Sequence, residues 1–154
     1  MKTPLLIALL VVLLASGALA STSPSSSQPR QLVLYGHVKQ VTHTSAGYRV
    51  RFDPAWWLTG TAAERACGCS PVPNDYFVVD ETHRLLTFAA RRDARATVLV
   101  RGGTVSVSLA ELAQIVAGEN PKHRRLLESK AGFWIHVSQK YPSPVVALDQ
   151  QYQP

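Results

Sequence analysis

What is scarce in this chain narrows its class before any motif is read. It holds only two cysteines, Cys67 and Cys69, too few for the disulfide framework that holds small secreted scaffolds together. Its one long apolar run, Leu5 to Ala15, is about half of the roughly 20 residues a membrane-spanning helix needs. Reaction motifs are missing too. There is no G-x-S-x-G elbow, no H-E-x-x-H zinc helix, no phosphate-cradling glycine loop and no EF-hand loop. The spacing therefore selects no catalytic set, no metal ligands and no cofactor, and the reading leans away from an enzyme.

The N-terminus is the most informative stretch. Met1-Lys2 supplies one positive charge, the run from Leu5 to Ala15 has none, and Ala18-Leu19-Ala20 places small residues where a signal peptidase inspects them. Residues 1–20 are expected to be a cleavable signal peptide, cut before Ser21, which places the protein in the secreted or extracytoplasmic envelope space. Residues 21–29, rich in Ser and Pro, read as a disordered leader. Residues 30–154 then form one domain, long enough for a core of its own and too short for two. Loss of Lys2 leaves fifteen basic against ten acidic side chains, a net charge of +5. Outside the cytoplasm, such a surface points to an anionic wall polymer, a membrane surface or another exported protein, and makes nucleic acid an unlikely partner.

Periodicity predicts mostly strands. Leu32 to Val41 reads as a strand bent at Gly36, and Tyr48, Val50 and Phe52 alternate with Arg49 and Arg51 until Asp53-Pro54 ends the segment. Residues 55–75 form an excursion with a short helix over 62–66. Strands are expected over 76–79, 85–89, 96–101 and 104–107, with Asp80 to Arg84 a polar turn and Arg91 to Arg95 separating the second strand from the third. Ser108 and Glu111 make a capping box that opens one main helix near 108–118. Its buried stripe is Leu109, Leu112, Ala113 and Val116, and Gly118 stops it. A closing hairpin follows, around Phe133 to Val137 and Val145 to Leu148. The fold class is α+β, mainly β: a small barrel or rolled antiparallel sheet. A helix before a terminal strand pair matches the order of the oligonucleotide- or oligosaccharide-binding barrel.

Candidate binding residues follow from this layout. Adjacent Trp56 and Trp57 point to opposite sides, so one is core; the other packs under the excursion helix or stands out as a stacking platform. Trp134, on the non-core face of its strand, joins Arg49 and Arg51 as a cationic and aromatic surface if their strands are neighbours. Lys122, Arg124 and Arg125 form a basic loop. After export, Cys67 and Cys69 are expected to bridge, Gly68 allowing the tight ring, with free thiols or metal binding as the other options. Exposed titrating side chains are the default for His37, His43, His83, His123 and His136. The leading function is a non-enzymatic binding module of the envelope or secreted space. The alternative is a small extracytoplasmic hydrolase or redox protein, with its site near Cys67 and Cys69 or near His136.

Two segments carry a resemblance. Val72-Pro73-Asn74-Asp75-Tyr76-Phe77-Val78-Val79-Asp80-Glu81 and Ala147-Leu148-Asp149-Gln150-Gln151-Tyr152 resemble stretches of uncharacterised exported proteins of actinobacteria and their relatives. The resemblance implies a signal peptide followed by one small domain, and brings no activity with it.

Overall fold

A computed structural model of the chain describes residues 30–81, 84–127 and 131–153. The expected signal peptide, the leader and His83 lie outside the described residues. Strands β1 (Gln31–Thr44) and β2 (Gly47–Thr59) form a hairpin, followed by helix α1 (Gly60–Cys67), a short 3-10 turn at Pro73–Asp75 and strand β3 (Tyr76–Val79). Then come β4 (Leu86–Val100), β5 (Gly103–Val107), α2 (Leu109–Val116), β6 (Phe133–Ser138) and β7 (Val145–Gln150).

Five of these strands close into a barrel. β1 pairs with β2 and β6, β6 with β7, and β2 with β4, all antiparallel; β7 lies parallel to β4 and completes the ring. β3 adds to the far end of β2, and β5 adds to β4. Closure removes the open edges that a sheet of short strands would otherwise expose. α2 stands between the third and fourth barrel strands, and the parallel pair joins the third and fifth. This is the oligonucleotide- or oligosaccharide-binding order.

The core follows from strand alternation, interrupted on β7 by an irregularity at Val146 that brings both Val145 and Leu148 inside. Val50 and Phe52 on β2, Val98 on β4, Ile135 on β6, and Val145 and Leu148 on β7 point inward and are fully buried. α2 brings Leu109, Leu112 and Ile115 into the same cluster, while Ala113 and Val116 pack at its margin. The inward face is therefore rotated toward Ile115 from the stripe the spacing predicted. Ser108 Oγ accepts from the Glu111 N–H at 3.1 Å, so half of the capping box forms. The Glu111 carboxylate is drawn elsewhere, to Arg124 and Lys122.

Two expected breaks are continuous strand. β2 does not end at Asp53-Pro54 but runs to Thr59. Pro54 is tolerated because β2 pairs with β4 only as far as Phe52, so the missing N–H falls beyond that ladder. Arg91 to Arg95 is a bend inside one fifteen-residue strand, β4, where the chain changes partner. Up to Ala90 it faces β2; Ala90 also meets Val145 of β7, and from Arg95 onward the partners are β7 and β5. A barrel corner with outward-facing polar residues has the composition of a turn. The irregularity in β1 falls between Val38 and Gln40, not at Gly36. Gly36 instead permits a close strand approach, since a Cβ there would stand 2.8 Å from Phe52 Cζ and from Pro54 Cα.

Candidate functional site

The site grows from the place where β1 and β2 part. Their ladder reaches Tyr35↔Ala55 and stops; beyond it β1 continues against β6, and β2 continues against β3. Between the diverging strands lies an open cleft of about 350 Å³, walled by Trp56, Trp57 and Trp134 with Tyr35, Val33 and Pro54. The register sets this geometry. Trp134 on β6 is opposite Tyr35, and Tyr35 is opposite Ala55.

Tyr35 is the keystone of the aromatic group. Its ring is 3% exposed and lies 4.9 Å from both Trp57 and Trp134. Trp57 in turn stacks on Tyr76 of β3, with ring centroids 3.9 Å apart and planes 12° from parallel. Polar handles fix the rings: Trp134 Nε1 donates to Gln151 Oε1 at 2.9 Å, and Gln153 Nε2 donates to the Tyr35 hydroxyl at 2.5 Å. Gly132 leaves room for the Tyr35 ring, because a Cβ there would overlap it. Burial, with Tyr76 and Asp80 nearby, pushes the Tyr35 hydroxyl up to about 12. The ring is thus a neutral packing element at physiological pH.

Of the adjacent tryptophans, Trp57 is half-buried in this group. Trp56 does not pack under α1; it is 68% exposed and forms the outer wall of the cleft. Trp56 is therefore available for stacking.

Arg49 and Arg51 stand exposed on β2, beside Thr42 and Gln40 of β1 and Ala89 and Thr87 of β4. Neither has a carboxylate partner among the described residues. Being two residues apart on one strand, they project about 7 Å from each other on the same side. By the same alternation Asp53, Ala55 and Trp57 share that side. Asp53 is 3% exposed, held by Lys39 Nζ at 3.1 Å, with Oδ1 lacking a hydrogen-bond partner among the described residues. Arg49, Arg51 and the Trp57 and Trp134 rings thus share one sheet face, with β1 between β2 and β6.

The basic loop is placed differently. Arg124 Nε meets Glu111 Oε1 at 2.6 Å and Lys122 Nζ meets Oε2 at 2.7 Å, on a carboxylate that is 3% exposed. The Arg124 hydrogen bond, then Lys122, holds the Glu111 carboxyl below its ordinary range against the upward pull of burial. Asn120 clamps the same loop by accepting from the Arg124 N–H and donating to the Arg124 carbonyl. Two of the three cations therefore anchor the loop to α2, and Arg125 remains exposed.

A disulfide joins Cys67 and Cys69, with Cα atoms 5.3 Å apart. It borders a shallow hollow of about 440 Å³ with Pro73, Asn74 and Tyr76. Cys67 is the last residue of α1, and the bridge joins the end of that helix to the second residue beyond it.

Two histidines approach carboxylates: His37 Nε2 lies 3.6 Å from Asp80, and His136 Nε2 lies 3.4 Å from Asp149. At the second, Thr97 Oγ1 donates to Asp149 at 2.7 Å and Gln31 Oε1 lies 3.3 Å from His136 Nδ1. The threonine proton is turned to the carboxylate and not to the imidazole, so the network orients Asp149 without activating a hydroxyl nucleophile. His43 lies edge-on to Tyr48. Tyr35, Tyr76 and Gly132 were not singled out by sequence. Their only signal is a tyrosine in outward phase on β1 and a glycine just before β6.

The described residues define a class: a closed five-stranded barrel of the oligonucleotide- or oligosaccharide-binding order, with an aromatic cleft where its first two strands separate. No protein-family model, curated protein or solved structure matches the chain.

Proposed function

We propose that this is an exported, non-catalytic binding module that grips an extended anionic polymer of the cell envelope. One observation supports it above the others: Arg49 and Arg51, without a carboxylate partner among the described residues, share the outer side of β2 with Trp57, which lines the aromatic cleft. From Arg51 to Trp57 the strand runs about 20 Å, so a ligand touching both ends is elongated. Phosphate or carboxylate groups meet the guanidinium forks, which suit planar, bidentate anion contacts. Ring units stack on Trp57, Trp134 and the exposed Trp56.

The test is a binding titration of the chain from Ser21 with a soluble glycerol-phosphate polymer and, in parallel, a neutral glucan, read by tryptophan fluorescence. The expected result is salt-sensitive binding of the polyanion. Arg49→Gln with Arg51→Gln weakens it, and Trp56→Ala reduces the fluorescence change. Equal affinity for the neutral glucan, or binding unaffected by loss of both arginines, refutes the reading.

A further inference from the structure

A second surface lies at the end of the barrel where β1 begins. Seven large hydrophobic side chains are exposed among the described residues. Four of them, Leu32 at 46%, Val33 at 45%, Trp56 at 68% and Tyr141 at 92%, belong to this end. Val33 and Trp56 line the same cleft, and Leu32, on the opposite face of β1, stands beside Val33 at the rim where the strand begins. The Gln139 N–H donates to the Arg30 carbonyl at 3.1 Å, so the loop 139–144 that carries Tyr141 starts against the first residue of β1. Exposed apolar side chains grouped in this way mark a contact surface, whereas scattered ones do not.

Charge says what the surface meets. Arg30 and Lys140 flank the apolar group, and neither residues 30–34 nor the loop 139–144 contains an acidic side chain. Tyr and Trp, with apolar bodies and polar tips, suit a boundary between hydrocarbon and water. The chain also enters the barrel at this end, at Arg30.

We propose that this end docks on the surface of an anionic lipid bilayer, with Leu32, Val33 and Tyr141 reaching into the headgroup region and Arg30 and Lys140 on the lipid phosphates. The contact leaves out Arg49 and Arg51 and does not depend on the polymer reading, although it shares Val33 and Trp56 with the aromatic cleft.

The experiment is flotation with vesicles of phosphatidylglycerol and phosphatidylcholine in equal parts, beside vesicles of phosphatidylcholine alone. It uses the chain from Ser21, which keeps the whole barrel and omits the apolar stretch that would enter lipid by itself. The protein is expected to float with the mixed vesicles, to detach in high salt, and to show blue-shifted tryptophan emission as Trp56 loses water. Removing either cation, Arg30→Gln or Lys140→Gln, weakens binding about fivefold. Tyr141→Ser with Leu32→Ser, both at exposed positions, weakens it by roughly tenfold. Arg49→Gln with Arg51→Gln leaves it unchanged. Unaltered circular dichroism in each variant separates lost docking from lost folding. The proposal is overturned if neither vesicle binds, if both bind equally, or if the Arg49 and Arg51 variant fails while the Tyr141 and Leu32 variant does not.

Discussion

Adding one methyl group at Gly132 tests whether the aromatic cleft is held by packing of a single ring. A Cβ at this position would stand 2.5 Å from Tyr35 Cζ and 2.8 Å from Cε2, and closer still to the hydroxyl oxygen. The ring cannot swing aside, since Trp57 and Trp134 each lie 4.9 Å from it and its hydroxyl is tied to Gln153. Overpacking a well-filled site costs about 1–3 kcal/mol, and the lack of an escape route places Gly132→Ala at about 2–3 kcal/mol. For a domain of this size the melting temperature falls by roughly 8 °C or more. Urea unfolding followed by tryptophan fluorescence and by far-UV circular dichroism measures the loss. Tyr35→Leu removes the colliding atoms at its own cost; on that background Gly132→Ala adds almost nothing, a coupling of about 2 kcal/mol in the double-mutant cycle. Additive losses, or a single-variant loss below about 0.5 kcal/mol, would sink the reasoning, because the methyl group would then have found room that a wedged Tyr35 does not leave.

Two further outcomes concern protons. Tyr35 is expected to ionise near pH 12 where its ordinary value is 10, giving a step in absorbance at 295 nm that Tyr35→Phe removes. Because folding raises this pKa, the associated stability is present below pH 10 and is lost as pH rises toward 12. Glu111 behaves in the opposite sense: its folded pKa is depressed, chiefly by the Arg124 hydrogen bond, so its contribution is full above the ordinary glutamate range. It drains away as pH falls through the lowered value. Urea midpoints measured from pH 7 downward should drop more steeply for the parent than for Glu111→Gln, and parallel curves would contradict the pairing.

Much of the fold was legible because it rests on local pattern. Val50 and Phe52 alternating with Arg49 and Arg51 fixed which face of β2 is inward, and Ser108 located the start of α2. The element order alone pointed to the barrel. Beyond that, tertiary partners override composition. Arg91 to Arg95 has the content of a turn, yet strand β4 runs through it because two different neighbours hold its halves. Glu111 reads as half of a capping box, yet Arg124, thirteen residues on, outcompetes a backbone N–H for its carboxylate. The site was legible in its parts and not in its assembly. Trp56, Trp57, Trp134, Arg49 and Arg51 stand out by residue type. That Tyr35 lies between Trp57 and Trp134 depends on β1 pairing with both β2 and β6, and pairing at that range leaves no periodic trace in a single sequence.

The separation of β1 from β2 leaves the two sides of the cleft anchored differently. β1 goes on to bond with β6, which is itself bonded to β7, so that side belongs to the closed ring. β2 goes on to bond with β3, whose only strand partner among the described residues is β2, so the side that carries Trp56 and Trp57 is a two-stranded arm. Across the cleft this arm meets the barrel through side chains, among them Trp57 against Tyr35 and Trp134, and not through a ladder. The gauge of the cleft is therefore a matter of ring packing: exchanging Trp57 changes its width, whereas exchanging Trp56 changes only its outer wall.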